Sequence, residues 1–167
     1  DEKVLLGGIG ALHTLPDGMD AVLSLCRIGD DDVRRDIPHV EVRLIDRPDP
    51  DENPHLEFVL LEAVETIERF RRDGKTVLVH CVEALSRTPS VAALYGARLN
   101  DIAVEEALRA VTDAVGTTKP TVGLARTTAV MVVGVVTRSH MRPSFKPLNI
   151  STVVNRPTIG LTDLTIG

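Results

Sequence analysis

The chain has 167 residues, 43% of them hydrophobic and 26% charged, which is ordinary for a soluble globular protein with its own core. Two cysteines are too few for a disulfide scaffold, and no leader pattern or apolar stretch of 18 residues is present, so we expect a cytoplasmic protein with no membrane partner. The net charge of −5 disfavours nucleic acid as a partner, because Lys and Arg supply most of the attraction to phosphate backbones.

Charge divides the chain into two parts. Residues 1–116 carry 13 Lys and Arg against 23 Asp and Glu, whereas residues 117–167 carry 6 against a single Asp. We therefore predict a folded domain over residues 1–116 and a C-terminal extension, rich in β-branched residues and of unknown role, over residues 117–167. The extension could add strands to a sheet edge, exchange between protomers of a homo-oligomer, or be foreign to the domain.

Four short apolar runs predict β-strands. They are rich in Val, Leu and Ile and are bounded by Gly, Asp or Pro. Such continuous runs are typical of strands that are covered on both faces of a sheet. The predicted strands are residues 3–8, 21–26, 40–45 and 76–80.

Apolar residues at helical spacing predict three helices between and after these strands. The first follows Asn53 as its N-cap and ends at Gly74; the second begins at Thr88 as a cap. The third is capped by Asp101 and ended by Gly116. The alternation of strands and helices predicts an α/β fold with a mainly parallel central sheet flanked by helices on both faces.

The most informative segment is the turn from the fourth strand into the second helix. The strand ends at His80-Cys81, five residues follow, and Arg87-Thr88 begins the helix. A loop at this place directs backbone N–H groups and the positive helix end at one spot, which suits an anion. The same field favours thiolate, since the pKa of a free Cys, about 8.5, can fall to roughly 3.5–7.5 there. Cys81 is thus a credible nucleophile, and the planar fork of Arg87 can hold two phosphate oxygens.

The pattern His80-Cys81, five residues, Arg87-Thr88 resembles the signature of the cysteine-dependent protein tyrosine phosphatases, most closely their dual-specificity branch. The resemblance extends over roughly residues 3–116 and implies a cysteine-dependent phosphatase domain and fold. It implies hydrolysis of phosphotyrosine, phosphoserine and phosphothreonine proteins, or of small phosphoesters, through a cysteinyl-phosphate. It implies no cofactor, and no cluster with zinc-ligand spacing is present, so no metal is expected.

The resemblance also assigns roles to single residues. His80 would order the loop by hydrogen bonding, and Thr88 would donate its hydroxyl to the sulfur when Cys81 departs, besides capping the helix. Ser86 is interpreted as a loop residue whose side chain hydrogen-bonds to its own backbone. The implied phosphate-binding residues are Val82, Glu83, Ala84, Leu85, Ser86 and Arg87.

Two loop residues depart from or vary within the family pattern. The family often has Gly where Ala84 stands, and if that position needs a positive φ, Ala costs about 1 kcal/mol. Glu83 adds a negative charge and is expected to point outward or to pair with Arg. The loop holds no Lys or Arg between Cys81 and Arg87, so polyanionic lipid headgroups rank low as substrates.

A phosphatase also needs a proton donor for the leaving oxygen. The family supplies an Asp on the loop after the strand that precedes the long helix, and Asp46 directly follows residues 40–45. Asp46 is therefore our candidate. Asp49 and Asp51 lie on the same Pro-rich loop and remain alternatives, although a solvated acidic turn explains both.

Three further hypotheses stay open. Some lipid-phosphatase relatives have a cysteine in the setting of Cys26, where it could form a reversible disulfide with Cys81; a plain core cysteine is the favoured alternative. Instead of an active enzyme, the domain could be a weakly active or inactive module that binds phosphorylated residues. It could also be the regulatory domain of a larger enzyme.

Overall fold

Four parallel strands form the centre of the protein. The computed structural model describes residues 1–47 and 50–116, so the predictions for the extension at 117–167 and for Asp49 lie outside the described residues. The strands are β1 (Val4–Gly7), β2 (Ala21–Ser24), β3 (His39–Glu41) and β4 (Val77–His80). They pair in the order β1-β4-β2-β3, with β4 between β1 and β2. The parallel sheet was predicted, and it is confirmed.

Helices cover both faces of this sheet. They are α1 (Ile9–His13), α2 (Leu56–Arg72), α3 (Arg87–Asn100) and α4 (Val104–Val115), with single 3-10 turns at Asp30–Asp32 and Pro50–Glu52. Side chains alternate along each strand. Leu5, Val22 and Leu78 therefore face one side of the sheet and pack with α1. The neighbouring residues on the same strands face the other side and pack with α2, α3 and α4. Among the described residues, no helix is both long and apolar enough to cross a membrane.

The third strand is shorter than predicted, and its end positions Asp46. The strand pattern at residues 40–45 continues beyond Glu41, but the structure leaves the sheet there. Val42 N–H still bonds to the Ser24 carbonyl, at 2.8 Å, and Leu44 N–H then bonds back to the Val42 carbonyl, at 2.9 Å. This tight turn removes the following residues from the strand pairing.

Asn53 is not the N-cap of α2, contrary to the prediction. The helix starts at Leu56 with His55 in the cap position, and the side chain of Asn53 donates instead to the Ile45 carbonyl at 2.7 Å. The backbone carbonyl of Asn53 accepts from Leu56 N–H at 3.0 Å. The amide that resembled a helix cap thus ties the segment before Asp46 to the start of α2.

Two other predicted caps are also wrong. Asp101 ends α3 in a left-handed conformation with φ 54°, and α4 begins only after Ala103. Thr88 lies inside α3, whose cap position is Ser86. Asx and hydroxyl side chains favour turns as well as caps, so sequence alone does not separate the two uses. The glycine stop at Gly116 is confirmed, with φ 68°. The five-residue α1 was missed because one turn is too short to show a period.

Candidate active site

The predicted loop connects the central strand β4 to α3 at the carboxyl edge of the sheet. Cys81 is its first residue and is 2% exposed, so it lies at the floor of the loop. Val82 and Leu85 are large apolar side chains that are 45% and 39% exposed, and Glu83 is exposed as expected. The loop therefore has a buried thiol beneath a mostly apolar, solvent-facing rim.

Ala84 adopts the left-handed conformation, with positive φ, in which alanine is less favourable than glycine. Its φ is 59°, and its side chain is 2% exposed. A residue with a Cβ loses roughly 1–2 kcal/mol in this conformation relative to the right-handed one. The loop therefore keeps a strained residue where glycine would relax, and the packing of Ala84 against its surroundings holds it there.

The loop is supported from below by the residues at and after the end of β1, a contact that the sequence pattern did not predict. Ile9 N–H donates to the Val82 carbonyl at 2.9 Å, and Cys81 N–H reaches the Gly7 carbonyl at 3.4 Å. The Thr88 hydroxyl also reaches the Gly7 carbonyl, at 3.5 Å. A Cβ on Gly8 would lie 2.8 Å from the Val82 oxygen, closer than real Cβ contacts. The consecutive glycines Gly7 and Gly8, at the end of β1, were the available signal.

We expect Gly8→Ala to destabilise the protein by about 1–3 kcal/mol, because backbone of the loop or of β1 must move to admit the Cβ. The φ of Gly8 is −93°, which alanine adopts freely, so the cost comes from the clash alone. Urea unfolding gives the change. Gly29→Ala is the matched control: its Cβ would meet only a side-chain oxygen of Asp32, at 3.4 Å. Equal stability of both variants would contradict the steric role of Gly8.

The guanidinium of Arg87 lies within the protein rather than in solvent. Its side chain is 15% exposed, and Nη1 makes long hydrogen bonds of 3.4 Å to the carbonyls of Leu25 and Leu44. Among the described residues, its buried Nε makes no hydrogen bond. Asp46 Oδ2 is the nearby charge, at 3.5 Å. A buried charged donor without a hydrogen bond is costly, so this nitrogen favours an anion close to it.

Asp46 comes to the mouth of the loop, as the position of the residue predicted. The Ser86 hydroxyl donates to Asp46 Oδ1 at 2.8 Å, a contact that the interpretation of Ser86 as a loop residue did not foresee. The alternative Asp51 is exposed in its 3-10 turn. Geometry therefore brings Asp46, Ser86 and Arg87 together at the loop that begins with Cys81, while the proton-donor role of Asp46 stays a prediction.

His80 is fully buried and bonds on both ring nitrogens. Nδ1 lies 3.3 Å from the Cys81 carbonyl, and Nε2 lies 2.6 Å from the Ser24 hydroxyl. Burial lowers the pKa of His80 to about 4, although the bond to the Cys81 carbonyl acts in the opposite direction. His80 is therefore neutral at pH 7, in keeping with an ordering role rather than that of a charged acid.

This histidine makes stability depend on pH. The unfolded chain binds the proton at the ordinary pKa of 6.5, whereas folded His80 does so only near 4. The free energy of unfolding is therefore highest above pH 6.5 and falls as the pH drops towards 4. We expect a loss of about 1 kcal/mol between pH 7.5 and 5.5, measured by urea unfolding. His39, whose pKa burial also lowers, acts in the same direction.

The matched variant for this dependence is His80→Asn, which removes the titrating ring. Its unfolding free energy should change less over the same pH interval, since the contribution of His80 is removed and that of His39 remains. Identical pH slopes for the wild type and for His80→Asn would contradict the assignment.

Cys26 has the surroundings of a core cysteine. It is 3% exposed, and burial raises the pKa of its thiol, while Arg87 lowers this pKa and Cys81 adds to the rise. Both cysteines are free. The disulfide between them remains a hypothesis. Within residues 1–47 and 50–116, no group of three or more His, Cys, Asp or Glu residues could hold a metal ion.

Comparisons with known proteins agree with this architecture. The family model described as "Dual specificity phosphatase, catalytic domain" matches residues 18–131, so the boundary at residue 116 stays a prediction. No curated protein matches the chain.

Three solved structures illustrate the similarity. Human DUSP28 is 19% identical with a TM-score of 0.71, over 83% of this chain and 97% of its own. A mouse putative dual specificity phosphatase complexed with zinc tungstate is 20% identical, with a TM-score of 0.65 over 78% and 84%. The human tyrosine phosphatase-like serine/threonine/tyrosine-interacting protein is 16% identical, with a TM-score of 0.66 over 79% and 93%. At these identities the similarity shows a shared fold.

Proposed function

The chain belongs to the dual specificity phosphatase catalytic-domain family, and from this premise we propose that it hydrolyses phosphomonoesters of tyrosine, serine and threonine through a cysteinyl-phosphate. The observation that carries the proposal is the buried, unbonded Nε of Arg87, which lies beside Asp46 at the loop that begins with Cys81. A thiol, a guanidinium and a carboxyl group thus meet at one loop, and these groups support the proposed roles of nucleophile, oxyanion donor and acid.

The first step transfers the phosphoryl group to the protein. The Cys81 thiolate attacks phosphorus in line, so the S–P bond forms while the bond to the leaving oxygen breaks. Asp46 gives its proton to that oxygen, and the free alcohol departs. Arg87 and the loop amides hold the other three phosphate oxygens. For this to occur, the substrate phosphate must take the place beside Arg87 Nε that the Asp46 carboxylate now borders at 3.5 Å.

The second step restores the protein. Asp46, now ionised, accepts a proton from water while the water oxygen attacks phosphorus and the P–S bond breaks. The products are inorganic phosphate and the Cys81 thiolate. The hydroxyl of Thr88 reaches the Gly7 carbonyl only at 3.5 Å, which is the limit of hydrogen bonding, so this weak contact leaves the hydroxyl able to donate to the departing sulfur.

The rim of the loop favours a permissive site for phosphoproteins. Val82 and Leu85 expose apolar surface, and Ile45, which precedes Asp46, is 47% exposed. None of these side chains supplies the extra positive charge that a polyphosphorylated headgroup requires. The site therefore suits a single phosphate on a protein side chain with apolar neighbours.

A second candidate function is binding of phosphorylated residues without turnover. The strained Ala84 and the contact between Asp46 and Arg87 favour it, because a loop that is loose or partly occupied would turn over slowly. The human tyrosine phosphatase-like serine/threonine/tyrosine-interacting protein shares this fold, so the fold also occurs in a protein that is named for interaction.

The test uses one peptide sequence phosphorylated in turn on tyrosine, serine or threonine, with EDTA present. Release of inorganic phosphate from all three peptides is the expected result. Saturable binding of the peptides by fluorescence anisotropy without phosphate release would favour the binding module. Neither release nor binding would refute both functions.

A further inference from the structure

Four hydrogen bonds run from Arg34, which precedes the edge strand β3, to the carbonyl of the candidate nucleophile. Arg34 N–H donates to His39 Nδ1 at 2.9 Å, and His39 Nε2 lies 2.7 Å from the Ser24 hydroxyl. The same hydroxyl lies 2.6 Å from His80 Nε2, and His80 Nδ1 lies 3.3 Å from the Cys81 carbonyl. We call these four bonds the His39 chain.

The two ends of the His39 chain determine its direction. A backbone N–H can only donate, so Nδ1 of His39 carries a lone pair, and its proton is on Nε2. A carbonyl can only accept, so Nδ1 of His80 carries the proton, and its Nε2 is an acceptor. The single proton of the Ser24 hydroxyl therefore points at His80, and its oxygen accepts from His39. Every polar atom in the chain is then satisfied.

The donor from His39 excludes the other tautomer of His80. If His80 carried its proton on Nε2, two ring N–H groups would point at the Ser24 oxygen. Neither histidine could then accept the hydroxyl proton of Ser24. Because Ser24 is fully buried, the loss of these acceptors would be costly. Nδ1 of His80 would at the same time turn a lone pair towards the Cys81 carbonyl. Without His39, Ser24 could accept from His80 and turn its own proton elsewhere.

We propose that His39 is a positioning residue, which acts through Ser24 to keep His80 in the tautomer that donates to the Cys81 carbonyl. That donation holds the first peptide group of the loop in one orientation. Because the peptide is planar and trans, the Val82 N–H then points to the side opposite His80. This inference rests on the proposed function only in taking Cys81 as the nucleophile.

The consequence for Cys81 is electrostatic. A carbonyl dipole held towards the His80 ring is kept from turning its negative end towards the sulfur, which favours thiolate over thiol. The charged and titratable groups around the chain are Arg34 and Glu41 beside His39, and His13 and Asp32 near His80. His39 itself is only partly buried at the sheet edge, so replacing it need not disrupt the core.

The test measures the rate at which iodoacetamide alkylates Cys81 from pH 5 to 9, followed by mass spectrometry of the peptide that contains it. His39→Leu should move the pH midpoint of alkylation upward by about 0.5–1 unit, so that the rate at pH 6 falls about three- to tenfold. Ser24→Ala, which breaks the His39 chain at its middle, should give a shift of the same sign. His39→Gln keeps an N–H for Ser24 and should stay within about twofold of the wild type.

Thermal unfolding of each variant shows whether the fold is kept. A His39→Leu profile equal to that of the wild type would overturn the inference. It would also be overturned if the alkylation rate of His39→Gln at pH 6 fell as far as that of His39→Leu. Alkylation of Cys81 does not require turnover, so the positioning role of His39 and the proposed phosphatase function can be tested independently. A shifted profile in a protein that hydrolyses no phosphoester would remove the proposed function alone, and active enzyme with an unshifted profile would remove this inference alone.

Discussion

Replacing Cys81 with serine is expected to lower kcat/KM for a small aryl phosphate at pH 7 by about 10⁴-fold or more. The serine hydroxyl is not ionised at this pH, so a neutral hydroxyl would have to replace the thiolate as the nucleophile. The side chain is nearly isosteric and 2% exposed, so the loop around it should keep its shape. Phosphate release under saturating and subsaturating substrate separates the loss in kcat from any change in KM.

Cys26→Ser is the matched control for this variant, since it also replaces a buried thiol with a hydroxyl. It should retain most of the wild-type activity, because Cys26 takes no part in the proposed steps. Turnover that survives Cys81→Ser would exclude Cys81 as the nucleophile. A comparable loss in both variants would instead indicate damage to the core.

Replacing Asp46 with asparagine is expected to lower kcat by about 10²–10⁴-fold for phosphoserine peptides, whose alkoxide leaves poorly without a proton. The loss should be smaller for an aryl phosphate with an acidic leaving group, because that oxygen departs without protonation. The amide can still accept from the Ser86 hydroxyl, which bonds Asp46 at 2.8 Å, so the loop contact is kept while the proton is removed. The ratio of the two losses is the decisive measurement.

Asp51→Asn is the control, since Asp51 lies on the same acidic segment but is exposed in the 3-10 turn Pro50–Glu52. Its kcat should equal that of the wild type for both substrates. If Asp51→Asn lost activity on the poor leaving group and Asp46→Asn did not, the proton donor would have been misassigned. Equal losses of Asp46→Asn on both substrates would point to a structural role for this carboxyl group.

The contact between Asp46 and Arg87 also bears on affinity. In the structure Asp46 Oδ2 is 3.5 Å from the buried Nε of Arg87, where a phosphate oxygen of the substrate would sit. Asp46→Asn removes the negative charge from this position and should therefore weaken the competition with a bound phosphate. Tighter binding of vanadate or phosphate by Asp46→Asn, alongside its lower kcat, would agree with this arrangement.

Local sequence was sufficient for the fold class and for the loop. The strand that ends at His80, the five-residue loop and the helix that begins at Arg87 are contiguous, so covalent connection alone brings Cys81 and Arg87 near each other. The parallel sheet followed from short apolar runs alternating with helical patterns. The positions of helix ends were less well predicted. Asn53 donates to the Ile45 carbonyl and Asp101 ends α3 in a left-handed conformation, so neither residue is the N-cap that its side chain suggested.

The sequence by itself determined the α/β fold and the place of the loop that connects the fourth strand to the next helix, and it supplied Cys81 and Asp46 as candidates, since these depend on residues that are adjacent or on a strand end of known direction. Only the tertiary structure decided that Ser86 holds Asp46, that Gly8 must lack a Cβ, and that Ser24 connects His39 to His80. Ser24 and His80 are 56 residues apart and meet because β2 and β4 pair in register. The physical reason is that hydrogen bonds and steric contacts act over about 3 Å, and linear order does not report that distance for side chains that the sheet brings together.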